Sequence, residues 1–257
     1  MRILPLFLLS GFLLLTSSAA AQATYGELIY TRTDALPTKG IGDGALNGKM
    51  QELLGQLHAS GGTTRRYHLR FSPGAFEFRE LHQPPREIES GGIRIMVNNG
   101  PTPPDRFYTD THTHEIHNSE AIADRMFQYG GPAPTVAWTL TGESVPASAA
   151  TLGFPLLVAR AVTITGDTLL ARYAPALPVS FGPLNYYDLP GAILQLEITG
   201  PGYHRSYRAE TLELSAEPLD IAPATEGKEV SIDEFNRQRN KFRARKPNAV
   251  RTVVRSQ

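Results

Sequence analysis

The stretch from Ala171 to Ile198, ARYAPALPVSFGPLNYYDLPGAILQLEI, constrains the fold of this 257-residue chain more than any other segment. Pro175, Pro178, Pro183 and Pro190 stand among apolar and aromatic residues. Proline lacks a backbone donor and fixes φ, so no regular helix passes through here. Leu189-Pro190-Gly191 has turn chemistry, because proline sets one corner and glycine permits the next. Beyond it, Ala192 to Ile198 is apolar and β-branched enough for a strand. The stretch predicts a rigid aromatic loop that delivers the chain into a core strand.

The rest of the chain is punctuated in the same way. Gly26, Leu28 and Tyr30 alternate with Tyr25, Glu27, Ile29 and Thr31, a period of two that predicts a strand with one buried face. Tyr67, Leu69 and Phe71, then Phe76 and Phe78, alternate with charged residues around Ser72-Pro73-Gly74 and predict a hairpin. Short strands are expected over 93–97, 106–117, 136–141, 156–164, 168–173 and 203–214, the last closing the sheet. Leu46, Met50, Leu53, Leu54 and Leu57 recur at helical spacing and predict one amphipathic helix over 45–58. Ser231-Ile232-Asp233-Glu234 is a capping box with Val230 and Phe235 as its hydrophobic staple. It predicts a helix from Ile232 to about Arg243, peripheral because few of its residues are large and apolar. The expected fold is mainly β, an antiparallel curved sheet forming an open barrel or a sandwich.

The organising loop resembles the GLPGLI family, secreted proteins of the Bacteroidetes. The residues that carry the resemblance are Ala171, Tyr173, Leu177-Pro178, Gly182-Pro183, Tyr186, Leu189-Pro190-Gly191 and Ile193-Leu194. Arg172 stands at the family's usual tryptophan, Asp188 at its first glycine and Ala192 at its second leucine. Upstream, Gly153-Phe154-Pro155-Leu156 is similar to a family element that ends in cysteine. Trp138 and the opening Gly26-Glu27-Leu28-Ile29-Tyr30 also fit. The strong match covers residues about 136 to 198. The family carries no established activity; the resemblance implies export and association with the outer membrane, with TonB-dependent receptors or metal handling as its setting.

Residues 1–21 read as a secretory signal, with Arg2 before the apolar Leu4–Leu15 and the small residues Ala19-Ala20-Ala21 at the cleavage site. The expected domains are that leader, a β-rich domain over 22–220, and a C-terminal helix and basic tail over 221–257. The apolar stretch is shorter than a spanning helix needs and is broken by Pro5 and Gly11. No second long apolar run exists, so no transmembrane helix is expected in the mature chain. The chain has no cysteine, which removes disulfides, thiol nucleophiles and thiolate metal sites from consideration. Lys plus Arg equal Asp plus Glu, at 25 each, and that balance argues against nucleic acid as a partner.

Candidate chemistry is sparse. If residues 106–117 form one strand, His112 and His114 share a face with Asp110 beside them, half of a Zn²⁺ or Cu²⁺ site. His114-Glu115 with His117 misses the helical metalloprotease spacing. Ser180 lacks the glycine two residues earlier that a nucleophile elbow requires, and is expected to bond local backbone instead. Glu143, Asp167, Asp188 and Glu197 lie near the loop in sequence, but nothing pairs two of them as acid and base. Tyr173, Phe181, Tyr186, Tyr187 and Tyr203 either line a groove or anchor the domain's own core. The bases Arg237, Arg239, Lys241, Arg243, Arg245 and Lys246 form a solvated face or one that meets anionic lipid or an acidic partner. The reading that follows is an exported envelope protein, not an enzyme. It acts as a binding or accessory module with an outer-membrane protein as partner; the alternative is a soluble carrier of an apolar ligand or of a transition metal.

Overall fold

The computed structural model describes residues 25–34, 64–84, 86–90, 93–97, 103–201 and 203–245, with Glu52, Gly55 and Gln56; for 86–90, 93–97 and 243–245 it describes only the backbone. The leader expected over 1–21, nearly all of the helix expected over 45–58 and the tail beyond 245 lie outside the described residues. The strands are β1 (Tyr25–Asp34), β2 (Thr64–Ser72), β3 (Ala75–Glu80), β4 (Arg86–Ser90), β5 (Ile93–Val97), β6 (Arg106–Asp110), β7 (Glu115–Ile122), β8 (Arg125–Pro132) and β9 (Thr139–Val145). They continue with β10 (Leu156–Val162), β11 (Thr168–Ala174), β12 (Ala192–Gly200), β13 (Tyr203–Ser215) and β14 (Lys228–Glu229). One helix, α1 (Ile232–Arg245), ends the described chain.

Twelve strands form one long, open, curved sheet in the order β14-β8-β7-β6-β3-β2-β1-β13-β12-β11-β10-β9, and β4-β5 form a separate hairpin. Pairing is antiparallel except between β14 and β8. The sequence reading changes at several points. No strand is expected from the sequence over β4 or β8, yet both form. Strand β13 does not close the sheet; it lies between β1 and β12, with Tyr25 opposite Ser215 and Leu196 opposite Tyr207. Residues 106–117 are not one strand. Thr111–His114 form a turn between β6 and β7, because Asp110 Oδ1 accepts the backbone N–H of His112 (2.8 Å) and of Thr113 (2.9 Å). That is the local competition with strand pairing that a short acid offers.

The alternation in sequence decides which face is buried. Leu28 and Tyr30, Tyr67 and Leu69, Phe76 and Phe78, Ala171 and Tyr173, and Leu196 and Tyr207 all lie on the inner face, each 3% exposed or less. Their rings interlock: Tyr67 stacks on Phe78 (4.7 Å) and meets Tyr207 edge-on (5.9 Å). The outer face carries charge in register. Glu27, Arg70 and Glu77 lie side by side on β1, β2 and β3, and Arg106 on β6 reaches Glu77 at 3.0 Å.

The C-terminal segment wraps one end of the sheet. After β13 it crosses the outer face, where Arg106 holds Glu226 (2.7 Å) and donates to the Ala222 carbonyl (3.5 Å). It then adds β14 to the β8 edge and turns onto the inner face as α1. The helix starts where the capping box predicts, with Ser231 Oγ accepting the Glu234 N–H (3.2 Å). It is seated more firmly than its composition suggests. Phe235 is 1% exposed and stacks on Tyr129 at 4.2 Å, with Phe127 edge-on. One well-placed aromatic supplies an anchor that a count of apolar residues does not reveal. The opposite edge, β9, has no neighbour among the described residues. It is bulged, with a register shift against β10 and Gly142 at φ +76°, and carries Glu143 paired with Arg160; both features discourage edge-to-edge pairing.

Candidate functional site

The aromatic loop is the plug of the sheet's inner face. Phe181 stacks on Phe71 (4.3 Å) and Tyr187 meets Phe76 edge-on (6.1 Å). Leu177 and Leu189 are buried with them. The plug is tied at its exit: Tyr30 Oη donates to the Ile193 carbonyl (2.7 Å), and the N–H groups of Ala192 and Ile193 donate to Leu177 and Phe181 (3.2 and 2.9 Å). Trp138 Nε1 donates to the Tyr187 carbonyl (2.8 Å). Burial alone pushes the Tyr30 hydroxyl far above the ordinary tyrosine range, so it is a permanent donor.

The motif residues Gly182, Pro183, Tyr186, Leu189, Pro190, Gly191, Ile193 and Leu194 are thereby brought together; Tyr186 is half-buried, Pro190 is exposed and the other six are buried. A Cβ on Gly182 would lie 2.6 Å from the Tyr186 carbonyl, and one on Gly191 2.3 Å from that of Ala174. Asp188 stands in the left-handed region at φ +67°. Its N–H donates to Ser180 Oγ (2.8 Å), the local backbone role expected for that serine.

His112 and His114 sit in the β6–β7 turn, both exposed. The His114 ring pairs with the Tyr187 hydroxyl across 2.8 Å, so the turn abuts the plug. Desolvation, then the nearby Asp188 and Asp110, push that hydroxyl up to about 12. Among the described residues no group of three His, Asp or Glu side chains is placed to hold a metal. Glu143, Asp167, Asp188 and Glu197 are dispersed. Glu143 pairs with Arg160 and Glu197 with Arg172 (2.7 Å), while Asp167 is bonded within the 163–167 turn.

The structure assembles two polar groups that sequence reading missed. Beside the plug, Asn185 and Asn118 exchange amide hydrogen bonds (2.8 and 3.2 Å), and Asn185 also donates to Thr109 Oγ1 (2.9 Å). Asn118 donates to Tyr129 Oη (3.2 Å), and Tyr129 donates to Glu120. Further along the inner face, the register aligns Glu80 on β3, Asp105 ahead of β6 and Glu120 on β7. Glu80 N–H donates to the Asp105 carbonyl (3.1 Å), and Asp105 Oδ1 accepts the Ala121 N–H (2.8 Å). Glu80 is 2% exposed and bound by Arg65 at 3.2 and 3.3 Å. Burial first, and the charge of Glu120 second, push the Asp105 carboxyl up to about 7. The only sequence signal was Asp105 at a strand start after Pro103-Pro104; its neighbours are distant in the chain.

Two depressions in the described surface are open to solvent. One lies on the outer face between residues 145–151 and Arg172, Gln195, Glu197 and Arg208. The other lies at the β14 edge beside His117, Gln128 and Ser231.

No family model matches the chain, and no curated protein matches it. Among solved structures it is similar to PNGF-II, at 11% identity and a TM-score of 0.51, over 86% of this chain and 34% of that one. At that identity the likeness is one of fold: both are β-rich, and the chain spans 34% of PNGF-II's length.

Proposed function

We propose that this chain is an exported, non-catalytic binding or accessory module of the cell envelope that works through its surface, with an outer-membrane protein as its partner. One observation carries the reading: the inner face is filled by the chain's own loop. Phe181, Tyr187, Leu177 and Leu189 are each 4% exposed or less, and the residues that resemble the GLPGLI family are those that seat this plug. The motif then serves the scaffold, and recognition falls to the exposed surface. Of the acids near the loop, Glu143, Asp167 and Glu197 are engaged in separate pairs and turns, which supports a non-enzymatic role. Carrying an apolar ligand would require the plug to leave its seat, so that alternative is the weaker one. No helix among the described residues is long and apolar enough to cross a membrane; a soluble envelope module needs none.

The test is in-cell crosslinking of the tagged protein, followed by envelope fractionation and mass spectrometry. A reproducible crosslink to one outer-membrane protein is expected. Recovery in the cytoplasm, or free of any envelope partner, would overturn the proposal.

A further inference from the structure

The Glu80–Asp105–Glu120 row does work that the proposed function does not use. The β3, β6 and β7 registers bring these acids side by side on three neighbouring strands: Arg79 lies opposite Arg106, and Arg106 opposite Ser119. Acids set directly opposite one another in a sheet destabilise it when charged. Glu80 is neutralised by Arg65. Glu120 accepts the Tyr129 hydroxyl. Asp105 stands between them, and its carboxylate has the Ala121 N–H as a partner. The groups facing Asp105 are therefore Glu80 from β3, Arg65 from β2 and Glu120 from β7. Tyr129 from β8 stands behind Glu120, and Arg239 from α1 faces Tyr129 while lying 5.3 Å above the Phe235 ring.

We infer that this row is a proton-operated latch for the C-terminal clip. A proton held between Asp105 and Glu120 keeps β6, β7 and β8 together; its loss loosens the seat of α1. The path is short. Charge on Asp105 repels Glu120, Glu120 draws away from the Tyr129 hydroxyl, and Tyr129 is the ring on which Phe235 is stacked. The apolar contact of α1 with the sheet is small, formed by Phe235 with Ile232 and Val230 against Ile116, Phe127 and Tyr129, so a small displacement at Tyr129 is felt by the whole helix. Burial and the charge of Glu120 together place the switching range near neutrality.

The experiment is amide hydrogen exchange on the full chain at pH 6 and pH 8, corrected for the intrinsic pH dependence of exchange. In the wild type, protection of β7, β8 and α1 is expected to fall at least tenfold between the two pH values, while β11 and β12 keep theirs. In Asp105→Asn the fall should vanish. Equal wild-type protection at both pH values would overturn the latch, as would an Asp105→Asn protein that keeps the pH dependence. Should Asp105→Asn not fold, Glu120→Gln serves in its place. It removes the charge that helps to raise the Asp105 carboxyl, so the transition should move to lower pH or disappear, and an unmoved midpoint would refute the inference.

Discussion

Gly191→Val tests whether the aromatic plug holds the sheet together. A Cβ at position 191 would lie 2.3 Å from the carbonyl oxygen of Ala174 and 2.7 Å from its carbon. Both are backbone atoms of β11, so no side-chain rotation relieves the overlap. The residue also adopts φ +147°, a region that a β-branched residue enters only under strain of about 1–3 kcal/mol. Relieving the overlap by shifting packed backbone costs about 1–3 kcal/mol more. Together these remove about 2–6 kcal/mol from a stability that for an ordinary domain is about 5–15 kcal/mol. The shift would also pull Ile193 away from Tyr30 and strain the Leu177–Ala192 bond. Trp138 is the sole tryptophan, and its indole donates to the plug at Tyr187, so its fluorescence reports plug seating directly. Urea unfolding followed by that fluorescence should show a lower midpoint for Gly191→Val and a red-shifted native spectrum. Asp188→Gly is the control, because Asp188 already stands at φ +67°, and it should stay within about 1 kcal/mol of wild type. A Gly191→Val protein with the wild-type midpoint and spectrum would refute the argument.

Other outcomes follow from the same geometry. Asp105 has a folded value raised from 3.8 to about 7, so the native state binds its proton more tightly than the unfolded chain. Its contribution is fully present below about pH 4 and is lost as pH rises through about 7, by about 4 kcal/mol at most; melting temperature should therefore fall between pH 5 and pH 8, and be flatter in Asp105→Asn. Arg106→Ala leaves Glu77, 4% exposed, with only Arg70 at 4.0 Å, and should cost about 3 kcal/mol in urea unfolding while freeing residues 221–227 to proteolysis. Phe235→Ala should cost about 3–5 kcal/mol of local stability, read as trypsin cleavage within α1 before the sheet unfolds. Calorimetric titration with Zn²⁺ and Cu²⁺ tests His112 and His114, and binding no tighter than about 0.1 mM, roughly 5 kcal/mol, would remove the metal-carrier reading.

The β class, most of the strands and the plug were legible in the sequence, because they rest on local rules. Alternation with period two marks Leu28, Tyr30, Tyr67, Leu69 and Phe71 as inward whatever the strand order. Proline chemistry makes 175–190 a loop in any fold, and the Ser231 capping box begins a helix without tertiary help. The Asp110 turn was misread because a residue that suits a strand also suits an Asx turn, and pairing decides between them. Strand order lay beyond local rules: β13 lies beside β1 although nearly the whole domain separates them in sequence, and only the packed sheet selects that partner. The same holds for the site. Glu80, Asp105 and Glu120 are unremarkable acids along the chain, and Asn118 and Asn185 are 67 residues apart. Each acquires its chemistry from neighbours that only the sheet supplies, since burial and like charge are properties of a place in the fold, not of a residue in a sequence.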